Sequence, residues 1–353
     1  MLSTSLVEYS SRYSRLTQCL VERGYFDARP FRLIDVGCSG GIAGFWRIFQ
    51  SSFQALGIDP LVDECARLNQ AEANKNIRYK PAFVGLPDDH PFVLKRGAQS
   101  PWGANPWNRL SAARAAQVLS DRVKHEEKVP VLNEWTTARL ADPKAKPTVD
   151  QLAAAEGWPE VDFIKIDVDG FDLDVLFSGE KLIRSSPVLG LALEVNYYGT
   201  TRDTEHTFHN TDRLMREWGF ELFDLTVRRY SASALPATFE HDFPAQTRLG
   251  RPYQGDAIYL RDPAAWSYNS AAAVKLDAVQ LLKLACLFEA FALPDHAAEL
   301  LRDYAAEVAP VTDVKPLLDL LANEIDPSLQ SYDEYIRRFE ADPSSFYPSR
   351  RKA

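Results

Sequence analysis

The stretch Phe31-Arg32-Leu33-Ile34-Asp35-Val36-Gly37-Cys38-Ser39-Gly40-Gly41 decides how this chain folds. Its first six residues are an apolar run of strand length, ended by a glycine-rich turn. Beyond the turn, Trp46, Phe49 and Phe53 fall on one side of a predicted helix. ALGID (55–59) then predicts a second strand, closing on Asp59. Strand, glycine turn, helix and strand open a parallel sheet covered by helices on both faces.

The pattern continues outward. LVDECARLNQAEA (61–73) reads as a helix and IRYKPAFVG (77–85) as a third strand. VDFIKIDVDG (161–170), PVLGLALEVNYYG (187–199), GFELFDLTVRRY (219–230) and QGDAIYL (254–260) predict four more, with FDLDVLFSGEKLI and Arg213–Trp218 as helices between them. The expected class is therefore α/β, a mostly parallel seven-stranded sheet with one antiparallel edge strand. Residues 86–147, rich in Pro, Gly, Asn and Asp, form too long a connection for such a sheet and predict a substrate-side insertion. Leu6, Tyr9, Tyr13, Leu16 and Leu20 mark one face of an N-terminal helix, and beyond about 265 every segment has helical period. A length of 353 residues fits roughly two domains. The expected division is an N-terminal helix (1–30), a sheet domain (31–264) and a helical C-terminal lobe (265–353). In that lobe Lys283 and Glu289 are expected to face solvent and Cys286 to be buried.

Three chemistries compete for the glycine turn. A dinucleotide site needs GxGxxG, but Ser39 and Ile42 break that pattern. The letters do satisfy GxSxG, the nucleophile elbow of α/β-hydrolases, with Ser39 as nucleophile. That elbow normally follows several strands, however, and leaves Asp59 without a role. An acid opening the turn (Asp35) and another ending the second strand (Asp59) suit S-adenosyl-L-methionine, the second holding the ribose. This third reading is favoured.

A second constellation lies at the same predicted edge, because the ends of parallel strands gather there. Asp167 ends one strand, Asp169 follows it, and Glu194 ends the next. Lys165 shares a strand face with Phe163 and Asp167, and a buried lysine needs an acidic neighbour. Such carboxylates can orient an acceptor hydroxyl, accept its proton or bind a divalent cation such as Mg. Asp172 and Asp174 are read instead as solvated acids favouring a helix N-terminus.

DVGCSGG, GIDP, TVDQL, FIKIDVDGFDLDVL and the ALEV strand, in that order over about 31–260, resemble the FkbM family of S-adenosylmethionine-dependent methyltransferases. The KIDVDG block is the most distinctive of these. The resemblance implies a class I Rossmann-like fold and methylation of hydroxyls on sugars, glycans or polyketides. It also implies that Asp35, Gly37 and Gly41 line the methionine end of the cofactor, that Asp59 holds its ribose, and that Asp167, Asp169 and Glu194 border the acceptor. Cys38, Ser39, Pro60 and Phe83 complete the expected cofactor set. Two positions depart from the family pattern: Asp169 stands where Glu is usual, and Ser39 replaces a smaller residue in the turn.

The expected catalytic set is Asp167, Glu194, His206 and His209, the histidines lying on the loop after Glu194. Any metal would fall to Asp167, Asp169 and Glu194. Trp102, Trp107, Asn108 and Arg109 form a candidate sugar platform, joined on the acceptor side by Lys165, Asp169, Tyr197 and Tyr198.

Composition narrows the classes. Forty basic against 49 acidic residues leave −9, so nucleic acid is not an expected partner. No apolar run reaches membrane-span length, and four scattered cysteines without CxxC suit a reducing cytoplasm. The sequence predicts a cytoplasmic O-methyltransferase with a sugar or glycan acceptor. Its helical end is expected to form a homodimer contact or to meet a glycosyltransferase. The alternatives are the hydrolase and a non-catalytic cofactor-binding module that regulates a partner.

Overall fold

Alternation along the first two strands sends their side chains to two different cores. A computed structural model describes residues 14–97, 139–168, 170–230, 249–263 and 274–346. In β1 (Phe31–Val36), Phe31 and Leu33 enter one core and Ile34 and Val36 the other. In β2 (Phe53–Asp59), Phe53 and Ala55 part from Leu56 and Ile58 in the same way. β3 (Ile77–Pro81) and β4 (Phe163–Ile166) continue the sheet, with β5 (Gly190–Asn196), β6 (Glu221–Leu225), β7 (Arg228–Tyr230) and β8 (Arg251–Leu260).

The strand order is β3-β2-β1-β4-β5-β8-β6, with β7 also pairing β8. β1 to β5 run parallel. β8 runs antiparallel to β5, β6 and β7. This is the expected mostly parallel α/β sheet with two refinements. The segment 219–230 divides into β6 and β7, giving eight strands. The antiparallel β8 is not an edge strand, because β6 pairs along its far side.

The segment after the glycine turn also differs from expectation. Gly44–Ser52 is a 3₁₀ helix, broken at Gln50, whose φ is 48°. Trp46 and Phe49, three apart, align in a three-residue turn as well as in an α-helix, which is why their spacing reads as α-helical. Phe53 belongs to β2. All three still share one core, with Phe31 stacked on Phe49 at 4.2 Å.

Helices cover both faces. Val149–Ala155, Asp172–Ser178 and Phe208–Glu217 pack on one. The other face shares its core with Arg15–Glu22 and with the C-terminal helices Ala278–Ala290, Pro294–Asp303 and Lys315–Ile325. Ala278–Ala290 is enclosed on nearly every side, which corrects the solvent-facing expectation for two of its residues. Lys283 Nζ donates to Asp162 at 2.9 and 3.0 Å and to the Pro30 carbonyl. Glu289 accepts from the Leu16 and Thr17 amides at 2.6 and 2.8 Å, capping the N-terminal helix. Cys286 is buried, as expected.

Candidate active site

The parity that separates the two cores also sorts the polar groups at the carboxyl edge of the sheet. Asp35, Lys165 and Asp59 occupy odd positions, on the face that Phe31, Phe163 and Phe53 define deeper in. β1 and β4 pair Asp35 directly with Lys165. Lys165 Nζ lies 3.3 Å from Asp35 and 3.4 Å from Asp167, and donates to the Gly37 carbonyl at 2.7 Å. Burial works against the lysine's charge, but the two carboxylates outweigh it and raise its pKa. Burial also raises the Asp35 carboxyl, against the pull of Lys165. Asp167 is the most open member, about a third of its side chain being exposed.

Gly37 is obligatory in this arrangement. Its φ is 84°, and a Cβ there would lie 1.8 Å from the Asp167 carbonyl oxygen. The turn's amides are turned inward. Gly37 and Cys38 donate to the Ile58 carbonyl, Gly41 donates to Cys38, and Gly40 donates to Glu64. Phosphate cradles need such donors free, so the dinucleotide reading finds no support in this turn. The Cys38 side chain is buried, and burial pushes its thiol far up. Gly41 packs by Leu68 and Tyr79. Asp59 is almost wholly buried; one carboxylate oxygen accepts from the Leu61 amide at 2.8 Å, and burial raises its pKa. Ser39 is exposed, and among the described residues no histidine bonds it, so the hydrolase arrangement is not assembled there.

On the other face of the same edge, where the even positions point, a cavity of about 250 Å³ opens. Val36, Gly37, Ile58, Pro60, Phe83 and Val168 are among its walls, so the expected Gly37, Pro60 and Phe83 converge there. Arg96, Lys146, Phe171 and Asp174 line it as well. Arg96 pairs with Asp174, an acid expected to be solvated but in fact buried. Asp172 is buried too, accepting from the Val168 and Gly170 amides at 3.2 and 2.9 Å. No sequence pattern marks Arg96, whose partner lies 78 positions away.

The groups after β5 are mostly committed elsewhere. Glu194 is buried against Arg228 at 3.2 Å, which also holds Asp256. His206 is buried: Nε2 donates to the Glu194 carbonyl at 2.8 Å, and Nδ1 faces Asn196 and Asp172 at 3.2 and 3.3 Å. With both ring nitrogens engaged, His206 positions the β5 edge and is not the free base expected. His209 is exposed on the first turn of Phe208–Glu217. Tyr197 donates to the Thr226 carbonyl at 2.8 Å, and burial pushes its hydroxyl up to about 12. Tyr198 stacks on Tyr253 at 5.5 Å. Lys165, expected beside the acceptor, braces the glycine turn and also faces Asp167.

Trp102, Trp107, Asn108, Arg109 and Asp169 lie outside the described residues. Of the three carboxylates expected around a divalent cation, Asp167 and Glu194 already face cationic partners. Among the described residues no group of three or more His, Cys, Asp or Glu could hold a metal ion. Likewise no helix among them is long and apolar enough to cross a membrane.

Residues 100–222 match the family model "Methyltransferase FkbM domain". The matched part contains the KIDVDG block, Asp167 and Glu194; the glycine turn and Asp59 precede it. No curated protein matches the chain. Among solved structures, it is similar to magnesium protoporphyrin IX methyltransferase (ChlM) from Synechocystis PCC 6803, crystallised with bound SAM. The identity is 10%, covering 73% of this chain and 85% of that one at a TM-score of 0.28. Precorrin-6y C5,15-methyltransferase from Geobacter metallireducens GS-15 is 8% identical, covering 69% and 87% at 0.30. A SAM dependent methyltransferase from Aquifex aeolicus is 10% identical, covering 74% and 99% at 0.28. At these scores the likenesses carry no weight of their own; strand order, register and the glycine turn describe the fold. Residues 100–222 thus match the FkbM methyltransferase domain, in a chain whose strand order is Rossmann-like.

Proposed function

We propose that this protein transfers a methyl group from S-adenosylmethionine to a hydroxyl oxygen of a sugar or glycan. The observation that carries the reading is the Asp35–Lys165–Asp167 cluster, built against Gly37 at the edge where Asp59 and the cavity also lie. The residues fit the cofactor. Gly37 and Pro60 line the cavity, Asp59 stands next to Pro60 as the candidate ribose acid, and the cavity's apolar walls suit a base. The bound cofactor supplies an already activated methyl carbon on a sulfonium.

The protein's task is alignment and proton handling. Lys165 holds Asp35 and the Gly37 carbonyl in place, fixing the turn. Asp167, open on one side, orients the acceptor hydroxyl and accepts its proton as the oxygen attacks. Glu194 and Arg228 frame the neighbouring strand end. A sugar acceptor is favoured because a weakly nucleophilic hydroxyl needs a carboxylate base.

The test is transfer of labelled methyl from S-adenosylmethionine to a panel of sugar nucleotides and lipid-linked glycans. A methyl ether is expected as product, and Asp167→Asn should lower kcat by about 10²-fold or more. Label on nitrogen, carbon or a carboxylate, or full activity in Asp167→Asn, would contradict the reading.

A further inference from the structure

We infer that His206, acting through Asp172, is a positioning residue for the turn after β4, which brings Asp167 and Val168 to the site. The inference rests on the S-adenosylmethionine reading of that site. The hydrogen-bonded register of β4 with β5 ends at the pair Ile166–Leu193, and Asp167 and Val168 lie just beyond it. Towards β1 the chain is still held, because the Asp167 amide donates to the Val36 carbonyl at 3.0 Å. Towards β5 side chains take over from the ladder. The Asp172 carboxylate accepts from the Val168 amide through Oδ1 at 3.2 Å and from the Gly170 amide through Oδ2 at 2.9 Å. Oδ2 also faces His206 Nδ1 at 3.3 Å. Nε2 of the same ring donates to the carbonyl of Glu194, the first residue past the ladder on β5.

One line of contacts therefore runs from β5 through an imidazole and a carboxylate to two amides of the turn. It is shielded from water, the side chains of His206 and Asp172 each being 3% exposed. Bonds to a carboxylate are strong in such a place, and a buried carboxylate needs its charge met. The Nδ1–Oδ2 contact needs one proton, on either atom, so the pair is neutral as a unit. Asn196, also on β5, holds the histidine by donating to its carbonyl at 3.3 Å. On the opposite side the turn has little room to shift, since a Cβ on Gly37 would meet the Asp167 carbonyl at 1.8 Å. Val168 lines the cavity and Asp167 is the proposed proton acceptor, so a displaced turn disturbs both ends of the reaction.

The experiment is amide exchange by NMR and S-adenosylhomocysteine binding by calorimetry, both on the full chain. His206→Asn keeps an amide donor where Nδ1 faces Asp172, and His206→Gln keeps one where Nε2 faces Glu194. Both lose the ring, so a role in packing alone would affect both alike. His206→Gln should speed exchange of the Val168 and Gly170 amides about tenfold or more. It should also weaken S-adenosylhomocysteine binding about three- to tenfold. His206→Asn should stay close to the wild type in both. Asp172→Asn, placing an N–H where Oδ2 stands, should free the Gly170 amide and leave that of Val168 bonded. That variant decides the matter if His206→Gln does not fold. Equal effects of Asn and Gln at position 206, or slow exchange at Gly170 in His206→Gln or Asp172→Asn, overturn the positioning role and leave the cofactor reading intact. Absence of S-adenosylhomocysteine binding by the wild type overturns the cofactor reading, while amide exchange still decides the role of His206.

Discussion

Strand β4 carries the same chemical motif at both of its ends, and the two copies do opposite things. Before it, Asp162 holds Lys283, which also approaches Glu160 at 3.7 Å. After it, Asp167 shares Lys165 with Asp35. Lys283 is wholly buried, whereas a quarter of the Lys165 side chain is exposed. The closed cluster is extended by Arg29, which bonds both oxygens of Glu160. Burial would raise the Glu160 carboxyl, but Arg29 and Lys283 outweigh it and hold it at about 2. This end fastens the helix Ala278–Ala290 to the sheet. The other end lies against a glycine turn beside a cavity, and there a lysine between two acids organises space for a ligand. Lysine and carboxylates in contact therefore do not by themselves mark a site; access does.

Lys283→Met breaks the comparison most severely. It leaves Asp162 buried without its cation and should cost about 3–5 kcal/mol in urea unfolding. Lys165→Met, at the open end, should cost less, about 1–3 kcal/mol, because Asp167 stays open to water although Asp35 is left buried without its cation. Its expected effect is weaker binding of S-adenosylhomocysteine by calorimetry. If the two variants lost equal stability, the contrast between the ends would fail.

A smaller effect is expected at a third carboxylate cluster, where Glu289 and Glu324 both cap the helix Arg15–Glu22. Burial, with Glu289 beside it, pushes Glu324 up to about 9 from its ordinary 4.5. The folded chain thus keeps a proton that the unfolded chain releases near pH 4.5. This pair's contribution to stability must fall as pH rises from about 4.5 to about 9. Glu324→Gln, which mimics the protonated form, should raise Tm by a few degrees at pH 8 and flatten the dependence. An unchanged Tm–pH profile would show that the pair does not share a proton.

The open end was far more legible in the sequence than the closed one. Apolar runs and the glycine turn mark the strands, and alternation alone puts Asp35, Asp59 and Lys165 on one face of one edge. Asp167 follows from the same count. Lys283 and Glu289 read as solvent-facing in the sequence because a charge in an apolar helix looks exposed until its partner is known. Those partners lie 121 and more than 270 positions away. Arg96 carries no sequence signal for the same reason, and its partner Asp174 reads as an ordinary helix-terminal acid. His206 drew attention by residue type, but the Glu194 carbonyl that occupies its ring belongs to the backbone, which no side-chain pattern reveals. The 3₁₀ segment shows the remaining ambiguity, since a spacing of three serves either helix.

The central claim is that the carboxyl edge of β1, β2 and β4 holds S-adenosylmethionine. Calorimetric titration of S-adenosylhomocysteine into the wild type, Ser39→Ala and Asp59→Ala tests it most directly. One-site binding is expected in the wild type, unchanged in Ser39→Ala and weakened about 10- to 100-fold in Asp59→Ala. Absence of binding to the wild type, or undiminished binding to a folded Asp59→Ala variant, would contradict it.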